Sequence, residues 1–536
     1  MAATPPIPFY RQLVEDYHSQ YESLIQNGEA KPVFLWQLIA LLLLPVPALL
    51  VPRRNGGRYV QLFVLACIFG TVIHFLRHRR MLLGGYGYMG GLLPAWWLIW
   101  CAVWLAYRNA ERECQRIVRT TVSAPSSAKE GSATQRDRTN ATEHAQQQNV
   151  ERLVWQPYPQ ALSQRLSWVL SLLFGMRGPE WNWRISSLGP LPSSVHAQLK
   201  AKDPSFRADE ITQAEEEQAD TAAIRARVRS ALMLCIRSYL TLDLIKLLMI
   251  RDTYFMYNGN MALAPPYPFT CLAAVPGLVR FYRLAVTGFG IHAALAFVTS
   301  FNPLIFAGLA LAFPHAARAV TPVPLDAAWL YGDTFGPFLP SILDHGLIGC
   351  WSKWWHQLFR VGFTSTGRWL ISRLPLPAHT VARPAVRQLV YTFVAFGLSG
   401  LVHSCGSYAQ IVKTSPARGP FRFFILQAVG FIVQGVGAHV LVPRLLGANK
   451  RTLLPRGLRR AASLVFAVGW LYLTAPAIAD DFARGGLWLT EPLPVSPLRG
   501  LGIGVREEDQ GWWCWSSPWF RYWDDGTYWG RGVRVV

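Results

Sequence analysis

Two histidines, His356 and His403, are the residues of this chain whose types and surroundings could do chemistry. His356 follows a run of tryptophans, and His403 lies inside a long apolar stretch. Ionisable groups are rare within membrane segments and are functional candidates there. A neutral imidazole can take a proton from an alcohol as its oxygen attacks a thioester, which is worth about 10²–10⁴ in rate. The two histidines therefore predict an active site within a bilayer.

Small polar residues surround His403 in the sequence. Ser399, His403 and Ser407 recur every four residues and would share one face of a helix. Small neighbours leave room for a ligand beside the imidazole, although they also allow close helix packing, which is the structural alternative. Because burying a polar group without a partner costs roughly 2–7 kcal/mol, we favour a functional role for His403. We expect Ser399 to contact the substrate.

The tryptophan-rich segment around His356 has a helical spacing of aromatic and polar residues. Trp351, Trp355 and Phe359 would share one helical face, and His356 and Arg360 another. The pattern predicts an amphipathic helix at the membrane boundary. Tryptophans that only anchor the helix, with the polar side in water, are the alternative. If the site is functional, we expect Trp355 to line it.

Three further polar residues are candidates for binding. Gln357, like His356, could donate a hydrogen bond to an oxyanion or orient an acyl donor. Arg360 could pair with phosphate, since guanidinium matches phosphate bidentately. Asp243 would share a helical face with Lys246 in a predicted span, and a structural ion pair between these two is the alternative to substrate binding.

The composition predicts an all-α, polytopic integral membrane protein. The chain has 536 residues, of which 51% are hydrophobic and only 15% are charged, whereas soluble domains average about 25% charged. Several apolar runs approach the ~20 residues that cross a bilayer as a helix, so we expect about 8–10 transmembrane helices. The clearest runs are 33–51, 59–76, 92–107, 232–250, 285–313, 389–412, 421–442 and 461–478.

The formal net charge of +21 does not indicate nucleic acid here. The cations flank the apolar runs, where anionic lipid headgroups and the positive-inside bias explain them. Membrane lipids are thus expected partners and nucleic acid is not. The eight cysteines form no Cys-x-x-Cys pair, so we expect neither a disulfide framework nor a metal site.

Composition also divides the chain into segments. Residues 120–150 are polar, with few apolar residues beyond alanine, which is typical of a flexible loop. Tryptophan and tyrosine in the tail favour the headgroup region. The predicted organisation is a polar N-terminal segment at 1–32, transmembrane helices at 33–119, the flexible loop at 120–150, a loop region at 151–230, a transmembrane core at 231–480, and a tryptophan-rich interfacial tail at 481–536.

At these residues the chain resembles the wax-synthase-like branch of the membrane-bound O-acyltransferase superfamily, especially its fungal members. The His356 motif, the later His403 in an apolar helix, an upstream Arg-Gly-x-x-Trp element and a Tyr-x-x-x-Asp pattern occur in the same order. The matching residues are Trp351, Trp355, His356, Gln357, Phe359 and Arg360, then His403, with Arg177, Gly178 and Trp181, and Tyr239 and Asp243. The chain departs from the branch at Gly346, where a serine is common, and at Cys350, where an aromatic residue is usual.

The resemblance implies a multi-helix fold around an intramembrane reaction chamber that an acyl-CoA and a lipophilic alcohol enter from opposite sides. It implies His403 as the base and His356 as the second catalytic or positioning residue. The expected reaction is transfer of an acyl group from acyl-CoA, here acetyl-CoA, to a hydroxyl of a terpenoid or meroterpenoid at the endoplasmic reticulum. No permanently bound cofactor is expected.

Three alternatives remain at this point. One is a wax ester synthase acting on long-chain alcohols. The second is a proton-coupled transporter in which His403 and Asp243 carry protons, although no inverted repeat is detected in the sequence. The third is a non-catalytic membrane scaffold that uses its tryptophan-rich tail. No GxSxG elbow, Walker loop or HExxH helix is present to suggest another chemistry.

Overall fold

The computed structural model describes residues 9–53, 56–123, 149–200, 210–257, 259, 263–374, 383–438, 444, 455–515 and 517–536. Residues 124–148, which are most of the loop predicted at 120–150, lie outside the described residues. The four residues before them and the two after them belong to β-strands.

Helices dominate the described residues. The α-helices are α1 Tyr10–Gln26, α2 Leu35–Leu43, α3 Pro45–Leu50, α4 Gly57–His78, α5 Tyr88–Ala102, α6 Ala110–Glu113, α7 Leu162–Phe174, α8 Ser193–Lys200, α9 Glu210–Arg251, α10 Thr253–Met256, α11 Pro276–Asn302, α12 Gly308–Ala312, α13 Pro314–Val320, α14 Phe338–Gly349, α15 Arg360–Arg373, α16 Arg383–Tyr408, α17 Arg422–Val436, α18 Arg456–Thr474, α19 Pro476–Arg484 and α20 Pro497–Gly500. The π-helical turns are Val103–Tyr107, Pro303–Ala307, Cys350–Trp354 and Ala417–Phe421. The strands are β1 Lys31–Phe34, β2 Arg79–Arg80, β3 Arg116–Ser123, β4 Asn149–Gln156, β5 Phe520–Asp524 and β6 Arg531–Val535.

The predicted helical membrane fold is confirmed. Within the described ranges, five helices are long and apolar enough to cross a membrane, and a sixth span is possible if α18 and α19, bent by 41°, form one. The count is below the predicted 8–10 because some apolar runs are broken or charged. The run at 33–51 is divided into α2 and α3 at Pro45. The run at 232–250 carries Arg237, Asp243 and Lys246 within α9.

The chain forms two compact units. The first comprises residues 1–109, 234–299 and 334–536, and the second comprises residues 110–233 and 300–333. In the second unit, β3 and β4 pair as an antiparallel hairpin in register from Arg116–Gln156 to Ser123–Asn149. Arg116 is fully buried beneath this hairpin, where its guanidinium donates to the side chains of Gln156 and Ser167.

The first unit contains a small sheet that the sequence did not predict. Its strand order is β2-β1-β6-β5, with β1 parallel to β2 and antiparallel to β6. Because β5 and β6 come from the tryptophan-rich tail, the end of the chain is folded onto β1. Trp512, Trp513 and Trp529 of the tail remain exposed.

Helices α5 and α16 in the first unit pack closely because glycines lie at their interface. A Cβ atom on Gly91 of α5 would overlap the carbonyl oxygen of Cys405 in α16. A Cβ atom on Gly406 of α16 would lie 2.9 Å from the ring of Tyr88. Small residues of this kind let two membrane helices approach. The approach sets Tyr88, the first residue of α5, against the face of α16 that carries His403.

We predict that Gly91→Ala destabilises the protein by about 1–3 kcal/mol, because the added methyl group overpacks the interface of α5 and α16. The matched control is Gly70→Ala in α4, where nothing lies within 4 Å of the added Cβ. Alanine is a better helix former than glycine, so the free energy of unfolding of the control should rise by about 0.5–1 kcal/mol. Thermal unfolding in detergent measures both, and equal midpoints for the two variants would contradict the packing described.

Candidate active site

His403 lies near the C-terminal end of α16, half-buried, with one ring nitrogen engaged. Its Nδ1 atom is 2.7 Å from the hydroxyl oxygen of Tyr88. Its ring stacks on that of Phe424 from α17, with centroids 4.8 Å apart and planes 20° apart. These two contacts fix the orientation of the imidazole, and Nε2 has no hydrogen-bond partner within the described ranges.

The amphipathic helix predicted around His356 is wrong. Cys350–Trp354 is a π-helical turn, Trp355 is extended with ψ 148°, and α15 begins only at Arg360. The side-chain amide of Gln357 donates to the carbonyl oxygens of Trp351 and Trp355, at 2.9 and 2.7 Å. This side chain supplies the donor that a continuing helix would have provided, so the helix can end before His356.

His356 is enclosed by aromatic rings. Its centroid lies 5.3 Å from that of Trp355, 5.5 Å from Phe359 and 6.2 Å from Phe335. The Nδ1 atom of His356 is buried and has no hydrogen-bond partner among the described residues. Burial lowers the pKa of His356 to about 4, so the ring is neutral near pH 7. A buried polar atom without a partner costs free energy in the empty site, and a ligand atom that bonds to it would recover that cost.

A continuous row of rings connects the two histidines. Phe424, stacked on His403, is 6.0 Å from Trp351, which is 5.8 Å from Trp355, the neighbour of His356. We call these three residues the aromatic bridge. The structure thus brings both sequence-predicted catalytic candidates, together with Trp355, into one neighbourhood.

Two glutamines of α17 hold the broken helix that precedes His356. Gln427 accepts a hydrogen bond from the indole of Trp351 at 3.3 Å. Gln434 donates to the carbonyl of His345 and accepts from the amide of Ile348, at 2.8 and 3.1 Å. These bonds bracket Gly346, which has φ 59° and ψ −140°.

The structure explains why the chain has glycine at position 346, where the related branch commonly has serine. Its positive φ is a backbone conformation that L side chains rarely adopt. A Cβ atom there would also lie 2.6 Å from the amide nitrogen of Gln434. The serine that is common in the related branch would therefore be strained in this chain, and glycine permits the kink.

Two other predicted site residues lie beside the histidines in sequence. Arg360 donates to the Oε1 atom of Gln357 at 3.3 Å, so both side chains take part in holding the turn. Ser399 is half-buried on α16, one helical turn before His403. Both remain candidates for contact with a substrate.

Asp243 has a different environment. Its carboxylate accepts hydrogen bonds from the Ser496 hydroxyl and from the Leu498 amide, the latter at 3.0 Å. It therefore caps the start of α20. Within the described residues, no hydrogen bond or ring contact joins Asp243 to either histidine.

The ion pair suggested between Asp243 and Lys246 is also absent from the described part of the chain. The Lys246 ammonium instead donates to the carbonyls of Trp488 and Thr490, at 2.5 and 3.2 Å. It lies over the ring of Tyr10, 4.5 Å from the centroid. Asp243 and Lys246 therefore bind the C-terminal region separately, because each forms hydrogen bonds to backbone or hydroxyl groups there.

Sequence reasoning missed Tyr88 and the two glutamines of α17. The signal for Tyr88 was the run of glycines around it, from Gly84 to Gly91, which indicates close backbone approach. The signal for Gln427 and Gln434 was two amides seven residues apart in an apolar helix, which places them on one face. Across the described ranges, no group of three or more histidine, cysteine, aspartate or glutamate side chains could hold a metal ion.

We predict that Gln434→Leu costs about 1–3 kcal/mol of stability, because it leaves the His345 carbonyl and the Ile348 amide without partners. It should also lower turnover, since the segment leading to His356 loses its anchor. Gln388→Leu, at an exposed position of α16, is the control and should leave stability and turnover unchanged. Thermal unfolding and turnover are measured for both variants. A Gln434→Leu protein with wild-type stability and turnover would show that the hydrogen bonds of Gln434 do not hold this segment in place.

The pKa of His356 gives a pH prediction. Because its pKa in the folded state is about 4 and that in the unfolded chain is about 6.5, the unfolded chain binds more protons between these values. The contribution of His356 to the free energy of unfolding is therefore fully present above about pH 7, and it is lost as the pH falls towards about 4. The difference in free energy of unfolding between wild type and His356→Gln should shrink over that interval. Unfolding in detergent at several pH values measures it, and a constant difference would contradict burial of the ring.

The comparisons with known proteins point to one family. Residues 331–426, which include both histidines, match the membrane bound O-acyl transferase family. The O-mevalon transferase macI of Penicillium terrestre is 24% identical over 354 residues, which cover 64% of this chain and 65% of that protein. The acetyltransferase fsoF of Humicola fuscoatra is 30% identical over 142 residues, or 26% of this chain and 33% of that protein. The O-mevalon transferase yanI of Aspergillus niger is 24% identical over 323 residues, or 58% of this chain and 60% of that protein.

The matched regions span less than two thirds of the length of each of these relatives. No solved structure matches the chain. The family match covers the segment that carries His356, the aromatic bridge and His403, and the fold is that of a multi-pass helical membrane protein. Residues 331–426 of this chain are similar to the membrane bound O-acyl transferase family.

Proposed function

We propose that the protein is an acyl-CoA-dependent O-acyltransferase that acetylates a hydroxyl group of a hydrophobic secondary metabolite, such as a terpenoid or meroterpenoid. The observation that carries this proposal is the pair of imidazoles joined by the aromatic bridge within the family-matched segment. Several matched relatives bear the printed name acetyltransferase, which supports acetyl-CoA as the donor. We assign the protein to the endoplasmic reticulum membrane.

In the proposed reaction, His403 is the general base. Its free Nε2 takes the proton of the acceptor hydroxyl as the oxygen attacks the thioester carbon. The new C–O bond forms, the C–S bond breaks, and the proton passes from Nε2 to the departing thiolate of coenzyme A. An alcohol and acetyl-CoA thus give an ester and coenzyme A, with His403 returned to its neutral form.

His356 is proposed to stabilise the negative oxygen that develops on the thioester carbonyl. Its unpartnered Nδ1 atom is buried among aromatic rings, where a hydrogen bond to a developing charge is stronger than in water. In the tautomer that carries a proton on Nδ1, the neutral ring can donate to that oxygen. This assignment gives the two histidines different tasks, with one removing a proton and the other donating a hydrogen bond.

The rings around the site support an apolar acceptor. Trp355, Phe335 and Phe359 surround His356, and Phe424 covers one face of His403. Such walls favour hydrophobic ligands, and they exclude the water that would hydrolyse a thioester.

The remaining candidates take roles consistent with their contacts. We propose that Trp355 and Ser399 line the acceptor position and that Arg360 faces the phosphates of coenzyme A. Gln357 would act by holding the turn that presents His356. Asp243 would act by fastening the C-terminal region rather than by binding substrate.

The test is an acyl-transfer assay in membranes that contain the protein, with labelled acetyl-CoA and a panel of terpenoid, meroterpenoid and long-chain alcohols. We expect labelled ester from a terpenoid-type alcohol and a loss of at least about 100-fold with His403→Ala. His345→Ala is the matched control, because the imidazole of His345 bonds to Lys353 and, within the described residues, makes no hydrogen bond or ring contact with His356 or His403. Its activity should equal that of the wild type.

Three results would count against the proposal. Full activity of His403→Ala would rule out His403 as the general base. Esters formed only from long-chain alcohols would identify a wax ester synthase instead. A wild-type protein that forms no ester, but moves protons when a solute is added, would identify a transporter.

A further inference from the structure

We propose that Tyr88 and Asp481 are positioning residues that select the tautomer of His403 able to act as a base. This inference rests on the proposed function, because it concerns how the assigned base becomes competent. Neither residue belongs to the sequence motifs that identify the site, and neither would touch the substrate.

Tyr88 and His403 are joined by a hydrogen bond. Its hydroxyl oxygen lies 2.7 Å from Nδ1, and its side chain is only 2% exposed. Its ring packs edge-on against Phe482 of α19, with centroids 5.1 Å apart. The hydroxyl makes no other hydrogen bond within the described residues, so its contact with Nδ1 is its main polar interaction.

The direction of this hydrogen bond decides what His403 can do. If the phenol donates to Nδ1, a neutral imidazole must carry its proton on Nε2, and Nε2 cannot accept the proton of an alcohol. If Nδ1–H donates to the phenol oxygen instead, Nε2 presents a lone pair to the acceptor. Only the second arrangement gives a general base, and it requires the phenol proton to point away from His403.

Asp481 provides the field that favours the second arrangement. It is 1% exposed, precedes Phe482 in α19, and interacts electrostatically with Tyr88. One carboxylate oxygen accepts from the Ser407 hydroxyl at 2.6 Å and the other from the Ser415 amide at 2.7 Å. Two accepting oxygens are typical of an ionised carboxylate. Because hydroxyl dipoles orient in the field of the protein, the Tyr88 proton turns towards this negative charge and its lone pair towards Nδ1.

The same arrangement supports the transition state. When Nε2 takes the alcohol proton, His403 becomes an imidazolium whose Nδ1–H already donates to Tyr88. Hydrogen bonds from a charged donor are about twice as strong as neutral ones, and the nearby carboxylate offsets the new positive charge. When Nε2 returns the proton to the thiolate of coenzyme A, both residues are unchanged.

The experiment is a double-mutant cycle in the assay that detects ester formation, with Tyr88→Phe, Asp481→Asn and the double variant. Each single variant should lower kcat by about 10–100-fold, which corresponds to loss of a hydrogen bond to a charged group. KM for both substrates should change by less than about threefold, because neither residue contacts a substrate. The double variant should be no slower than the slower single variant, since both act through one hydrogen bond.

Matched controls lie next to both residues. Tyr86→Phe removes a neighbouring buried hydroxyl, and Asp480→Asn removes the adjacent carboxylate, which accepts from Tyr254 instead. Both should keep wild-type kcat. Asp481→Glu, which retains the charge, should recover part of the kcat lost in Asp481→Asn. Thermal unfolding of every variant in detergent identifies those that fail to fold, and Tyr88→Phe decides the result if Asp481→Asn is among them.

Two outcomes would overturn this inference alone, provided that the wild type forms ester and His403→Ala does not. One is a Tyr88→Phe protein with wild-type kcat. The other is a double variant whose loss equals the product of the single losses, which would mean that the residues act independently. An inactive wild type would refute the proposed function itself.

Discussion

The hydrogen bond between the Tyr88 hydroxyl and the Nδ1 atom of His403 is the interaction on which the proposed site depends. It forms because Gly91 and Gly406 let α5 and α16 approach until their backbones almost touch. In an apolar interior neither group can exchange this partner for water, so the bond fixes the ring more firmly than it would at a surface. Helix packing thus determines the orientation, and through it the chemistry, of the imidazole.

A second constraint acts on His356. The chain around it is not a regular helix, and the break is held by side-chain amides rather than by backbone hydrogen bonds. Gln434 bridges the kink at Gly346, Gln427 holds the indole of Trp351, and Gln357 bonds the carbonyls that the break leaves free. The break leaves Trp355 extended, with ψ 148°, immediately before His356, a conformation that a continuous helix would not allow.

The sequence was enough to predict the helical membrane fold and to single out both histidines as candidates, because apolar length and the cost of a buried ionisable group are local properties. It could not predict the π-helical turn before His356, since periodicity alone does not reveal that Gln357 replaces a backbone donor. Nor could it predict the partner of His403, because Tyr88 is more than 300 residues away in the chain. Asp243 looked functional for a sound reason, the cost of a charge in an apolar run, but its partners in the C-terminal region are visible only in three dimensions.

The most direct test is an experimental structure of the protein with coenzyme A and its acceptor alcohol bound, for example by cryo-electron microscopy. We expect the acceptor oxygen within about 3.2 Å of the Nε2 atom of His403, with the His356 ring facing the same space and Tyr88 still bonded to Nδ1. An acceptor bound elsewhere, or a wall of protein between the rings of His356 and His403, would contradict a shared reaction site.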